Sequence, residues 1–128
     1  MKKTLLILLA LMLGMSLLQA AAFEKEAKSR TTKVHISSEK PIGTGFNVFT
    51  FDITKDGKAP LGARVDIKAF MPAMPGMPAM DSKVTAKDLG NGKYEAKLNI
   101  AMNGTWQIHI FITPVKGKKT RVKTSINF

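Results

Sequence analysis

The 128-residue chain contains no cysteine. Without thiols it forms neither disulfide bonds nor the thiolate metal sites of zinc fingers, and it has no cysteine nucleophile. Its two histidines, His35 and His109, are too few for a three-histidine metal site. Both lie on the polar phase of predicted strands, which indicates solvent-facing side chains rather than ligands. Stability must therefore come from a hydrophobic core, which about 100 residues can supply.

Acidic residues are also scarce, with 9 Asp and Glu against 20 Lys and Arg and a formal net charge of +11. The acids fall in the N-terminal segment, in turns or on polar strand phases. No two of them are spaced as a general acid and base, and no glycine-rich loop precedes a helix to hold phosphate. The sequence therefore predicts a protein that is not an enzyme and that has no catalytic residues.

The N-terminus has the features of a secretory signal. Lys2 and Lys3 precede an apolar run over residues 5–18, and small alanines follow at 20–22. The run is shorter than the roughly 20 residues that a membrane-spanning helix needs. We therefore predict a signal peptide over 1–22, cleaved near Ala22, and a periplasmic or otherwise exported protein. The alternative is an uncleaved N-terminal membrane anchor. Export argues against nucleic acid as a partner of this basic chain.

The rest of the chain is predicted to be one all-β domain. Residues 23–31 are polar and charged and are interpreted as a flexible leader. Residues 32–128 alternate between apolar and polar positions in short runs separated by turn signals such as Asp56-Gly57 and Asn91-Gly92. About seven strands with no credible helix predict a two-sheet, antiparallel, immunoglobulin-like sandwich. A small closed barrel is the alternative.

Residues 71–80 read Met-Pro-Ala-Met-Pro-Gly-Met-Pro-Ala-Met. The three prolines favour polyproline II, which has three residues per turn and would place all four methionines on one edge. Gly76 could bend the segment and bring a third sulfur onto the same ion. Thioether sulfur is a soft ligand that favours Cu(I). The predicted ligands are Met71, Met74, Met77 and Met80, joined by Met102 if the two strand ends meet.

Packing offers a different explanation of the same segment. Methionine is a flexible apolar filler, so the alternative is that the run plugs an open end of the sandwich or forms a soft docking surface for another protein. Met102 would then cap the core beside Trp106. This second hypothesis is a metal-independent interaction module in a membrane or efflux complex.

The C-terminal hairpin is strongly basic. Charged residues commonly protect an exposed sheet edge from pairing with another chain. The functional alternative is weak attraction to an anionic membrane surface or an acidic partner. The residues concerned are Lys116, Lys118, Lys119, Arg121 and Lys123.

Several short motifs resemble the YtkA-like/FixH-like family of small exported bacterial domains. The most specific is the methionine- and proline-rich segment 71–80 between two strands. The others are 45–47 (Gly-Phe-Asn), 56–60 (Asp-Gly-Lys-Ala-Pro), 62–65 (Gly-Ala-Arg-Val), 92–94 (Gly-Lys-Tyr) and 102–106 (Met-Asn-Gly-Thr-Trp). The resemblance covers roughly residues 34–128.

This resemblance implies an immunoglobulin-like sandwich outside the cytoplasm. Related domains accompany copper handling, assembly of heme-copper oxidases and metal efflux. We therefore expect a domain that binds or ferries Cu(I), with a copper donor or acceptor, or an efflux or oxidase-assembly protein, as its partner. FixH itself is membrane-anchored, whereas this chain is predicted to be cleaved and free.

Overall fold

The computed structural model describes residues 22–60 and 62–128. All but Ala22 of the predicted signal peptide lies outside this part, and no helix within it is long and apolar enough to span a membrane. The described residues form nine strands, and they contain no helix. These are β1 (Phe23–Ser29), β2 (Thr32–Ser38), β3 (Gly45–Lys55), β4 (Arg64–Met71), β5 (Met80–Thr85), β6 (Lys87–Gly90), β7 (Lys93–Ile100), β8 (Thr105–Thr113) and β9 (Thr120–Asn127).

The strands form two antiparallel sheets. A five-stranded sheet has the order β1-β2-β3-β7-β6, and a four-stranded sheet has the order β5-β4-β8-β9. Apart from β1, this is the order of the ABED and C′CFG sheets of immunoglobulin domains. The predicted immunoglobulin-like sandwich is confirmed, with nine strands in place of about seven. Two separate sheets also exclude the closed barrel.

The first additional strand corrects the predicted flexible leader. Phe23–Ser29 forms β1, which pairs with β2 along its whole length. Its inner face contributes to the core, because Ala27 is buried and the Phe23 ring packs edge-on against Phe49 at 6.0 Å. Three of the charged residues that made this segment look like a leader, Glu24, Glu26 and Lys28, are on its outer face, and Lys25 is partly buried on the inner one. The polar composition of residues 23–29 therefore led to the wrong prediction of a leader, although the segment is a strand with one polar face.

The second additional strand arises because the chain between the methionine-rich segment and the Asn91-Gly92 turn forms two strands instead of one. The chain changes sheets at Ala86, between β5 and β6. The N–H of Ala86 donates to the carbonyl oxygen of Val65 at 2.8 Å, so the last contact with the four-stranded sheet lies at the crossing point. Because β5 and β6 pair with different sheets, this crossing closes one side of the sandwich.

The core consists of the alternating inward residues of both sheets. Phe49, Phe51, Tyr94 and Trp106 are its largest buried side chains. The Tyr94 hydroxyl donates to the carbonyl oxygen of Pro60 at 3.0 Å, which satisfies its polar end. Burial, followed by the nearby Asp88 carboxylate, raises the pKa of this phenol above 10.0. The core is therefore an apolar layer between the two sheets, and the hydroxyl of Tyr94 within it is hydrogen-bonded.

Candidate metal-binding site

The methionine- and proline-rich segment forms a β-hairpin. The pairing of β4 with β5 ends at Met71 opposite Met80. Three residues further along each arm, Met74 and Met77 form an isolated bridge. In this bridge each N–H donates to the other residue's carbonyl oxygen, at 3.0 and 2.8 Å. The four methionines therefore form two cross-strand pairs in one continuous register.

This geometry corrects the predicted polyproline II ridge. The chain reverses at Pro75-Gly76, where Pro75 fixes a negative φ and Gly76 has φ +80°, the pattern of a type II turn. Pro72 and Pro78 lie in the two interrupted stretches between the methionine pairs, where no ladder N–H is required. The local preference for an extended segment therefore yields to cross-strand pairing with β4.

Cross-strand pairing brings sulfurs closer than the ridge would. Directly opposed residues have Cβ atoms about 4.5–5.5 Å apart, whereas successive methionines on the ridge would be about 9 Å apart at Cα. Each methionine has three rotatable side-chain bonds, so both sulfurs of a pair can reach one ion. Each pair is therefore a potential two-thioether site.

The base pair, Met71 and Met80, lies on the inner face of the four-stranded sheet. Met71 is 4% exposed and belongs to the core, and Met80 packs against that core while remaining partly exposed. The end of the Met71 side chain covers Gly104, where an added Cβ would lie 2.6 Å from the methionine methyl. Gly104 also has φ +146°. The positive φ thus favours glycine here, and a Cβ would in addition have to displace the flexible end of the Met71 side chain.

Met102 lies in the same region. It precedes Gly104 by two residues in the loop between β7 and β8, and it packs partly buried against the core. The indole N–H of Trp106 donates to the Met102 carbonyl oxygen at 3.0 Å. Gly104 and Phe128 exchange backbone hydrogen bonds of 3.1 and 2.9 Å, which attach the loop to the C-terminus. The two strand ends therefore do meet, and Met102 lies at the end of the sandwich that Met71 covers.

The tip pair, Met74 and Met77, is more accessible. Met74 is 47% exposed and Met77 is intermediate, although both belong to the same hairpin as the base pair. The hairpin therefore carries thioethers from solvent at its tip to the edge of the core at its base.

The potential metal ligands at the hairpin are thioether sulfurs, which are soft donors. No group of three or more His, Asp and Glu side chains within residues 22–60 and 62–128 has the arrangement of a metal site. Both histidines lie on outer sheet faces, away from the inward Met71 and Met80. His35 is 3.7 Å from both Glu24 and Glu26, and His109 lies among lysines. A metal bound at the hairpin would therefore be one that accepts thioether ligands.

Sequence reasoning found the methionines but missed the residues that position them. In the sequence Gly104 stands out only as part of the motif 102–106, and nothing in the sequence places Met71 above it. The Trp106 hydrogen bond to the Met102 carbonyl was equally invisible, although their spacing of four residues allowed a contact. Only the packing of β4 against the loop reveals these roles.

The sequence model of the YtkA-like family matches residues 26–111. The chain belongs to the YtkA-like family. The predicted resemblance is thus confirmed for this family, while the FixH-like half of it remains a prediction. The match includes β2 to β7 and the whole methionine hairpin, so the hairpin is part of the family domain and not an appendage.

The structure resembles the soluble domain of PmoD from Methylocystis sp. ATCC 49242 (Rockwell), with a TM-score of 0.53 and 14% sequence identity. The match covers 80% of this chain and 95% of the PmoD domain. At this identity the similarity supports the sandwich fold and no more. No curated protein matches the chain by sequence.

Proposed function

We propose that this YtkA-like domain is an exported, non-enzymatic protein that binds Cu(I) through its methionine hairpin and passes it to or receives it from another protein. The observation that carries the proposal is the hairpin register, which pairs Met71 with Met80 and Met74 with Met77. Two thioether pairs lie at the end of the sandwich that also holds Met102. Soft, uncharged sulfurs suit Cu(I) and lose no proton on binding it.

The base pair and the tip pair are assigned different roles in this proposal. The base pair and Met102 lie beside the core, where a bound ion is partly shielded from water. The tip pair is open to solvent and to a partner protein. We infer that Cu(I) is held at the base and exchanged at the tip.

The proposed role requires export, and the position of β1 is compatible with the predicted processing. Cleavage near Ala22 would leave β1 intact from Phe23 onward. The mature chain would then contain every strand of the sandwich. Amino-terminal sequencing of protein from the extracytoplasmic fraction tests this, and recovery of the intact apolar segment would instead favour a membrane anchor.

Cu(I) titration of residues 23–128 under a competing chelator, without oxygen, tests the metal proposal. Methionine-to-leucine exchange removes sulfur at nearly constant volume, which usually costs less than about 1.5 kcal/mol of stability. We expect stoichiometric binding that is lost when Met71, Met74, Met77 and Met80 are all replaced by Leu. Circular dichroism must show that the variant is folded. Unchanged affinity in a folded variant would refute the proposal.

Two double variants separate base from tip. Met71→Leu with Met80→Leu should weaken equilibrium affinity most, because it removes the shielded pair. Met74→Leu with Met77→Leu should chiefly slow transfer of Cu(I) to the chelator. Equal effects on both quantities would refute the division of roles while leaving Cu(I) binding intact.

The exposed tip also favours a second candidate, a metal-independent docking module. Met74 is half exposed, and β5 is an edge strand of its sheet, to which another chain could add a strand. Pull-down with an intact and a scrambled 71–80 segment, with and without copper chelator, distinguishes the two. Partner capture that needs the segment and ignores the chelator would favour docking.

A further inference from the structure

The outer face of the four-stranded sheet carries an unbroken row of basic side chains. Lys83 on β5 stands directly opposite Lys68 on β4, Lys68 opposite His109 on β8, and His109 opposite Lys123 on β9. This set is called the cationic row. Strands lie about 4.8 Å apart, so the row crosses the sheet in about 14 Å.

The cationic row is unfavourable for folding. Lys83 and Lys68 carry like charges directly opposite one another, which destabilises a sheet. Two acids lie on the same face, each two residues along its strand from a lysine of the row. The Asp66 carboxylate is already engaged, because it accepts hydrogen bonds from Arg64 at 3.1 Å and from the Thr85 hydroxyl at 2.7 Å, and Asp81 stands opposite Phe70, outside the row. Protection of sheet edges explains Lys83 and Lys123, which lie on edge strands. It does not explain Lys68 and His109, which lie on the two central strands.

The other histidine shows that a basic composition does not by itself produce such a row. On the five-stranded sheet, Glu26 stands opposite His35, His35 opposite Asp52, and Asp52 opposite Lys93. Acidic and basic side chains alternate across that row. The cationic row is therefore a local feature of one face.

Charge repulsion in the cationic row acts on His109. Partial burial, followed by the positive charges of Lys123, Arg121 and Lys68, lowers the pKa of its imidazole below 6.5. Lys83 at the end of the row adds a further positive charge on the same face. An anion lying on this face would relieve the repulsion.

Aromatic rings flank the cationic row. The Lys68 ammonium lies 5.2 Å from the Phe70 ring centroid, and the Lys119 ammonium lies 5.0 Å from that of Phe111. Both rings are partly exposed on this face. An open groove of about 460 Å³ runs beside them between Lys83 and Phe111. The face thus combines cations with apolar surface over several strands.

We propose that this face docks onto an anionic phospholipid surface. The cations form a line along the sheet instead of converging on one point, so they match many headgroup phosphates better than a single small anion. Flanking rings suit the boundary between headgroups and acyl chains. Arg121 and Lys119 extend the positive charge toward the basic C-terminal hairpin. The proposal concerns a different surface from the methionine hairpin and does not depend on Cu(I) binding there.

Co-sedimentation with vesicles tests the proposal. Residues 23–128 contain both sheets and the whole core cluster, so this fragment is the folded unit and lacks the apolar segment 5–18. The row variant replaces Lys68, Lys83 and Lys123 with Gln. The control variant replaces Lys87, Lys93 and Lys97 with Gln. These control lysines lie on the five-stranded sheet opposite Glu95, Asp52 and Val48, and their loss gives the same change in net charge.

We expect binding to vesicles containing phosphatidylglycerol, none to pure phosphatidylcholine vesicles, and weaker binding as salt rises. Each lysine near an anionic surface contributes roughly fivefold to affinity, so the row variant should lose about 100-fold and the control much less. Equal losses would show that overall charge suffices and would overturn the proposal. Absence of vesicle binding would overturn it as well, as would a preference for polyglutamate, which would indicate an acidic protein partner.

Thermal unfolding supplies a second readout. The row variant should unfold at a slightly higher temperature than the parent, because opposed like charges are removed, whereas the control should not. NMR titration of the His109 ring should show its pKa rising when anionic vesicles are added. A lower unfolding temperature of the row variant, together with a His109 pKa that does not change when vesicles are added, would contradict the assignment of this face.

Discussion

The two methionine pairs of the hairpin are chemically identical and structurally opposite. Met71, at the base, is 4% exposed and covers Gly104, whereas Met74, at the tip, is 47% exposed. One repeated Met-Pro pattern thus supplies both a core residue and a solvent-exposed thioether. A sequence motif therefore does not have a single role, because burial decides whether each sulfur contributes to packing, to binding or to both.

The comparison predicts that the base is needed for the fold and the tip only for function. Four substitutions test this difference, and their expected effects on the free energy of unfolding decrease from the base to the tip.

Met71→Ala should have the largest effect. It opens a cavity beside Gly104 in the core, which for buried methionine costs about 2–5 kcal/mol. Urea unfolding followed by Trp106 fluorescence measures this loss. Met80→Ala is the matched control, because Met80 is partly exposed and should cost clearly less. Equal losses would show that the two members of the base pair are buried alike.

Gly104→Ala should cost about 1–3 kcal/mol, because its φ of +146° strains any other residue. The new methyl would also displace the end of Met71. In a Met71→Ala background the second part disappears, so the two substitutions together should cost less than the sum of each alone. Additive losses in this double-mutant cycle would contradict the contact between the two residues.

Gly76→Ala should cost about 1 kcal/mol, from backbone strain alone. A Cβ at Gly76 meets no atom within 4 Å, but φ is +80°. Gly76→Asn is the control, since asparagine tolerates this conformation better. Circular dichroism during thermal unfolding ranks the variants. Identical stabilities would argue against a tight turn at Pro75-Gly76.

Met74→Leu should change stability least, by under about 0.5 kcal/mol, because the side chain is largely at the surface. Under the proposed function it should nevertheless slow exchange of Cu(I) with a competing chelator. Thermal unfolding and stopped-flow transfer are measured on the same preparation. A large stability loss with unchanged transfer would reverse the roles assigned to base and tip.

Much of the fold was predictable from the alternation of apolar and polar residues along the chain. Trp106, Ile108 and Ile110 point inward as their spacing indicates, and the turn at Asn91-Gly92 separates two strands as expected. Strand β1 was missed, because its inner face offers only small or amphipathic side chains apart from Phe23. The change of sheet at Ala86 was also missed, because β6 is exposed along its whole length and has no alternating pattern that would set it apart from β5.

The candidate site was predictable in its members but not in its shape. The repeat identified the hairpin methionines, and the position of Met102 after β7 allowed it to join them. Polyproline II was wrong because the propensity of three prolines is local, whereas pairing with β4 continues a ladder already formed from Asp66 onward. Lys68 and Lys83 were not linked to the basic C-terminal hairpin for a similar reason, since strand register is not visible in a single strand.

The sequence by itself determined the inward and outward faces of most strands, the absence of thiol chemistry and the soft donor set of segment 71–80. These follow from side-chain type and a period of two, both of which are local. Tertiary structure decided which methionines oppose each other, that Met71 covers Gly104, and that Lys83, Lys68, His109 and Lys123 form one row. Such relations join residues distant along the chain, and they are fixed only when strands pair in register and the two sheets pack.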